Sequence, residues 1–492
     1  MARLLFALPL LLCLAVGSTN AQNANSVALL GAKEPEHRVE GARRLVKDGD
    51  KKSILALLKA LTTEQDGFAG REMGLTLKDL KDEDGLTQAE RTITGWRKTE
   101  EMFAAYWALT GLAHGATEKG DAILKTALTK KHAKEVSLAA CALEAIGESS
   151  RIELAEQVLP LLTAYAPEHD KGNVFETLSA ITAARKLCPA DGIDVQKPFI
   201  MALLNVLEQS QDDRIKYFAA LGLSRITGKP AYLDGRWWRN WLLKGDAEEH
   251  QGKSVAAPTF FNAEAVGKRV IFAIDVSGSM EWPADMDRVR NPVTGKGAEK
   301  GPDYTGVRTK LDLAKVELLW SLEHLPEDYY FNIITYETKH KLIDESVTGL
   351  VEANSANKFK LSNAVRALKA NGGTNIHGSL IRAFGVVRKG QVKDDPALDR
   401  TAMLEGADTI FFMTDGSPSW SDDSTTYGRV DPKWGSIGNG RFCEPANILA
   451  DIARVNTFRK IVIHAIAIGK DADKDLMQKL AEQNHGTFIE RG

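Results

Sequence analysis

The chain divides into two halves by the period of its hydrophobic positions. From about Glu34 to Gly245, apolar residues recur every three or four positions, as in Ser53–Leu61 (SILALLKAL), Met102–Leu112 (MFAAYWALTGL), Ser137–Ile146 (SLAACALEAI), Phe199–Leu207 (FIMALLNVL) and Lys216–Ile226 (KYFAALGLSRI). That period lines apolar side chains along one helical stripe, so helix is predicted after helix. Beyond Gly267, short apolar runs alternate with helical spacing. Strands are predicted at Val270–Ile274, Phe331–Tyr336, Thr409–Met413, Ile461–Ile468 and Thr487–Ile489, with a short antiparallel edge around Leu342–Ile343. Helices are predicted between them at Lys310–Leu325, Lys358–Leu368, Asn375–Val387, Pro445–Val455 and Asp473–Gln483. Runs such as VIFAI and IVIHAIAI are apolar on both faces, as buried parallel strands are. Strand–helix alternation of this kind predicts a doubly wound, mostly parallel α/β sheet. The expected fold class is therefore an all-α N-terminal part followed by an α/β domain.

Several N-terminal helices share an Ala/Leu-rich run, a Gly turn and a second helix, and the Gly115-to-Gly147 interval is close to one solenoid period. This resembles a HEAT-type α-solenoid, in which stacked helix pairs bury a continuous core and leave an extended groove. An irregular helical bundle fits the same spacing. Near Gly228–Gly245, Trp237 and Trp241 share a helical face, and the aromatic cluster reads as packing that ends the array rather than as a ligand cage. Asp246–Pro258 is polar and small. Its Gly252-Lys253-Ser254 lacks both the preceding strand and the first glycine of a phosphate loop. The expected organisation is helical repeats over 22–245, a linker over 246–266 and the α/β domain over 267–492.

Candidate chemistry gathers where predicted strands end. In Lys268–Met280 (KRVIFAIDVSGSM), the apolar run leads into Asp275, Ser277 and Ser279 at every second position. Thr374 follows in Gly372-Gly373-Thr374-Asn375, and Asp415 closes the apolar run Phe411-Phe412-Met413-Thr414-Asp415-Gly416. Carboxyl ends of parallel strands border the crevice where open α/β folds bind ligands. Two carboxylates and three hydroxyls form a hard-oxygen set suited to Mg2+ or Mn2+. The ordered series DxSxS, GGTN and TDG resembles the metal-ion-dependent adhesion site of von Willebrand factor A domains, over roughly Gly267 to Gly492. The resemblance implies that Asp275, Ser277, Ser279, Thr374 and Asp415 bind the metal, and that the protein binds other proteins in adhesion or assembly. Two carboxylates against a divalent ion leave no surplus negative charge, so an Asp or Glu carboxylate from a protein partner is the expected sixth ligand.

An enzyme is not expected. Hydrolysis at this metal would need a general base or a second metal. His377 reads as a surface residue at a helix start, His464 as a core histidine, and no Ser–His–Asp or Cys–His set is evident. The alternatives are a metal-dependent hydrolase using the same site and a scaffold whose metal only stabilises the fold. Two long segments, Glu281–Arg308 and Gly416–Phe442, leave the carboxyl edge of the sheet. They carry Trp282, Tyr304, Trp420, Tyr427 and Trp434, residue types favoured at binding hot spots. An acid from Glu281–Asp287 or Asp422–Asp423 is a candidate to fill the sixth position in cis, with water as the alternative.

Composition adds three constraints. A net charge of -3 over 492 residues, with charges well mixed, argues against electrostatic binding of nucleic acid. Arg3, the apolar Leu4–Val16 and the small residues around Ala21 read as a signal peptide over 1–21, so a secreted or periplasmic protein of a bacterial envelope is expected. No other stretch is apolar enough to span a bilayer. Removing Cys13 leaves Cys141, Cys188 and Cys443, too few for a disulfide scaffold, with Cys141 expected in a helical core.

Overall fold

The computed structural model describes residues 24–130, 136–171, 174–190, 192–245, 259–290, 301–432 and 435–491. The proposed signal peptide, most of the proposed linker and Trp434 lie outside them. The chain forms two compact units that divide after Gly252.

Among the described residues, the N-terminal unit is built of helices and their connections. Seven of its helices start where a short polar side chain replaces the missing partners of first-turn amides. Asp50, Asp66, Asp82, Thr117, Ser137, Asp212 and Asp234 each accept a hydrogen bond from such an amide. One row of helices, Gly67–Leu75, Met102–Gly115, Leu138–Ser149, Val174–Leu187 and Asp213–Thr227, packs neighbour on neighbour. A second set packs behind it, with Lys51–Thr63 against Glu83–Ile93 and Ala155–Thr163 against Ile193–Gln209. Met102–Gly115 is apolar almost all round and is buried from Met102 to Ala113 apart from Tyr106. Cys141 is fully buried, as expected, and its thiol donates to the Met102 carbonyl at 3.3 Å. In the Gly235–Lys244 helix the buried indole is Trp238, packed edge-on between Trp237 and Trp241, with its Nε1 donating to the Tyr232 carbonyl.

In the C-terminal unit, β1 (Thr259–Phe260) and β2 (Ala263–Glu264) form a hairpin. Phe260 packs edge-on against both Phe272 and Phe411. Residues 259–266, assigned from sequence to the linker, thus belong to the core of this unit. Small polar residues mark a linker only until an apolar pair such as Phe260-Phe261 finds a sheet to cover.

The main sheet contains β3 (Arg269–Asp275), β4 (Tyr330–Tyr336), β5 (His340–Leu342), β6 (Val351–Glu352), β7 (Thr409–Thr414), β10 (Val462–Ile468) and β11 (Phe488–Arg491). Its order is β11-β10-β7-β3-β4-β5, with β6 also on β4. All pairings from β11 to β4 are parallel; β5 and β6 add antiparallel edges. The predicted doubly wound, mostly parallel sheet is observed. Its chain path steps from β3 to β4 on one side and returns to β7 on the other. The crevice beyond the β3 and β7 carboxyl ends is therefore the topological switch point, where such sheets bind ligands. A second hairpin, β8 (Tyr427–Asp431) with β9 (Gly435–Gly438), rises from the long segment after Asp415. Its residues are mostly exposed, so no buried face imposed a readable alternation.

His464, on β10, is buried as expected, stacks on Phe411 and accepts from the Thr487 amide through Nδ1 at 3.1 Å. Burial pushes its pKa down from 6.5 to about 4. The unfolded chain therefore takes up a proton that the folded chain refuses between those values, and stability falls with falling pH through that window. The expected loss between pH 7 and pH 5 is about 2 kcal/mol. Urea midpoints of wild type and His464→Phe across that range test this, since the variant should show a markedly flatter slope.

Candidate functional site

The site is assembled from three loops at the carboxyl edge of the sheet. Asp275 ends β3 in register with Tyr336 of β4, so its side chain emerges in the centre of the sheet. It is fully buried; Oδ1 accepts from the Ser277 amide at 2.7 Å and Oδ2 from Thr414 Oγ1 at 2.6 Å. Ser277 Oγ lies 3.2 Å from Ser279 Oγ, and Ser279 donates to Asp415 Oδ1 at 2.8 Å. Asp415 follows β7 directly and is also fully buried.

Thr374 arrives on the loop before the Ile376–Gly385 helix. That loop is joined to the first by Gly278 N–H to Gly372 O at 3.0 Å and Asn371 N–H to Val276 O at 2.8 Å. Gly372 has a φ of 75°, and a Cβ there would also strike the Glu337 side chain, so the turn requires glycine. Ser419 holds Thr374 from the other side, its Oγ accepting from the Thr374 amide at 2.8 Å. A Cβ on Gly416 would lie 3.4 Å from Thr374 Oγ1 and 4.0 Å from Ser279 Oγ, which puts both hydroxyls on the same small space. All five residues singled out in the sequence therefore meet at one place.

Burial and the neighbouring Asp415 carboxylate raise the Asp275 pKa well above the ordinary range. Two buried carboxyls so arranged favour a cation, and three hydroxyl oxygens complete a hard donor set. A cation of the protein's own already lies there: the Lys310 ammonium is 2.9 Å from Asp415 Oδ2 and 3.5 Å from Asp471 Oδ2. The residues present thus fit a divalent ion in donor chemistry and in charge. Among the described residues no three His, Cys, Asp or Glu side chains form a metal-binding group; three of the five residues that meet here are hydroxyl-bearing.

Sequence reasoning missed Lys310, Thr414 and Asp471. Lys310 left one trace: it follows the N-cap Thr309 in the first turn of the Lys310–His324 helix, where the helix dipole disfavours a cation. The expectations for nearby residues need correction. His377 is buried, pairs through Nε2 with Asp451 Oδ2 at 2.9 Å and stacks flat on Phe442, so it is a structural tie between helices rather than a surface residue. Asp422 spends its oxygens on His340 and Asn375, and Asp423 on Ser421 Oγ and the Arg441 amide. To act as the cis ligand considered from sequence, either would have to give up or share these bonds. Trp282 is 54% exposed at the rim and Tyr427 58%, with Trp420 packed against Tyr427.

The model of the von Willebrand factor type A domain matches residues 306–489. Together with the sheet order above, this identifies the C-terminal unit as a von Willebrand factor type A fold. The match includes Thr374 and Asp415 but begins after Asp275, Ser277 and Ser279. Among solved structures the chain is similar to a von Willebrand factor type A protein from Catenulispora acidiphila, at 17% identity over 47% of this chain and 40% of that one, with a TM-score of 0.28. It is also similar to the PilB minor pilin from Streptococcus sanguinis, at 16% identity over 45% of this chain and 56% of that one, again with a TM-score of 0.28. The chain thus spans less than two thirds of each of these proteins. No curated protein matches it.

Proposed function

We propose that the protein is a divalent-cation-dependent protein-binding protein, acting in adhesion or assembly. Asp275, Ser277, Ser279, Thr374 and Asp415 hold Mg2+ or Mn2+, and a partner Asp or Glu carboxylate completes the coordination. The observation that carries this reading is the convergence of those five oxygen-bearing side chains at the switch point of the sheet. A hard ion bound there supplies an open position for an anionic oxygen. Ser277 and Ser279 lie within hydrogen-bond distance of each other, and Ser279 donates to Asp415, an arrangement suited to coordination rather than to nucleophilic attack. Exposed Trp282 and Tyr427 at the rim supply the apolar contacts from which partner choice is built. The N-terminal unit, read as a HEAT-like solenoid, offers a second protein-binding surface.

The reading includes export to the periplasm or exterior, supported by the Leu4–Val16 segment; N-terminal sequencing of the mature chain should begin near Gln22. Among the described residues no helix is long and apolar enough to cross a membrane. The decisive experiment is capture of partners from envelope extracts in Mg2+ and in EDTA, with Asp275→Asn as control. Capture that needs both the cation and Asp275 is expected. Capture indifferent to both would refute the proposal, and turnover of a captured substrate that requires the cation would establish the hydrolase alternative instead.

A further inference from the structure

Lys310 is not accounted for by the proposed function, and its placement is unusual on three counts. It is only 3% exposed, whereas lysine is seldom buried unless paired. It stands in the first turn of a helix, against the dipole. Its ammonium also bridges two carboxylates of different character, the fully buried Asp415 of the site and Asp471, whose side chain is 38% exposed. The backbone fixes it there: the Lys310 amide donates to the Trp282 carbonyl at 2.9 Å, and the ammonium lies 5.0 Å from the centre of the Trp282 ring.

We propose that Lys310 is a tethered counter-ion that competes with the divalent cation for Asp415 and so sets the cation concentration at which the site opens to a partner. The inference rests on the cation-dependent reading above and adds a regulator to it. In the structure both Asp415 oxygens are engaged, Oδ1 by Ser279 and Oδ2 by Lys310, and the ammonium partly neutralises the buried charge. A cation held by these residues would meet a positive charge already within hydrogen-bond distance of Asp415, and would bind more weakly for that repulsion. Asp471 provides the release. It already lies 3.5 Å from the ammonium at the rim, so Lys310 can move outward onto it as the external ion takes Asp415. The Trp282 ring, 5.0 Å from the ammonium, borders that exchange, so an exposed aromatic lies beside the group that would shift.

Calorimetric titration of Mg2+ and Mn2+ into the full chain, wild type against Lys310→Met and Lys310→Arg, tests the proposal. Lys310→Met keeps the length and removes the charge, so it should bind the cations about tenfold more tightly or better. Lys310→Arg keeps the charge and should not gain. Equal or weaker binding by Lys310→Met overturns the counter-ion role while leaving the metal reading intact. Failure of both wild type and Lys310→Met to bind overturns both. A second measurement needs no variant: acetylation of Lys310 in wild type, followed by mass spectrometry, should be slow in EDTA and several-fold faster in saturating Mg2+. Unchanged reactivity of Lys310 in a protein shown to bind Mg2+ would also sink the proposal.

Discussion

Replacing Asp275 or Asp415 with asparagine is expected to abolish binding of Mg2+ and Mn2+, while the two variants part company in the absence of metal. Each substitution removes one of the two charges able to hold the ion, and a single carboxylate with neutral oxygens beside a lysine ammonium does not retain a divalent cation against water. The metal-free consequences differ because the two carboxylates have different partners. Asp415 pairs with the buried Lys310 ammonium, and removing one member of a buried pair leaves an uncompensated charge. Lys310 can fall back on Asp471, so Asp415→Asn should cost about 3 kcal/mol rather than the upper end of the range for broken buried pairs.

Asp275 is the opposite case. Burial and Asp415 both disfavour its ionised form, and an asparagine oxygen can still accept from the Ser277 amide. Asp275→Asn should therefore be within about 1 kcal/mol of wild type in EDTA, or more stable. Titration calorimetry and thermal melts in EDTA check the two halves of this expectation. For wild type, Mg2+ at a hundred times its dissociation constant should add about 2.7 kcal/mol of stability, since the ion binds only the folded chain. Undiminished cation binding in both variants would show that the five residues are not the metal site.

The other large effect is expected in the helical unit. Gly111→Val should destabilise it by about 3 kcal/mol, because the helices Gly67–Leu75 and Met102–Gly115 meet backbone to backbone. A Cβ on Gly111 would lie 2.0 Å from the Gly74 carbonyl oxygen, and one on Gly74 would lie 2.4 Å from the Trp107 carbonyl oxygen. Neither obstacle is a side chain that can swing away, so the helices must separate and the buried Trp107 loses contacts. For a unit of this size the melting temperature should fall by roughly 6–12 °C. Thermal melts by circular dichroism would measure it. A drop of less than 1 °C would mean that the helix crossing is looser than these distances require.

Much of the C-terminal unit was legible because each strand is a short run of apolar, often β-branched residues bounded by turn chemistry. Val270–Ile274, Thr409–Met413 and Ile461–Ile468 could only be satisfied with both faces covered, and the order of strands and helices left one fold class. The five oxygen-bearing residues were equally legible. They stand just beyond apolar runs or in glycine turns, and such positions are committed to the carboxyl edge of a parallel sheet. The same local rules placed His464 and Cys141 in their cores, since each interrupts an apolar period without breaking it.

Other features depended on contacts between residues far apart in the chain, which no local pattern records. His377 looked like an exposed helix-start residue until Asp451 and Phe442, on a different segment, closed over it. The Phe260 hairpin looked like linker because its two strands are only two residues each, and the rings of Phe272 and Phe411 are what order it. Asp422 and Asp423 read as two of several candidates for a cis ligand, and only the fold ties their oxygens to His340, Asn375 and Arg441. Lys310 is the sharpest instance. The sequence by itself determined the five oxygen-bearing positions and the sheet that carries them, because periodicity and turn chemistry are local. Only the tertiary structure decided that a lysine 105 residues before Asp415 would put its charge among them, because pairing of buried charges is set by which segments meet at the switch point.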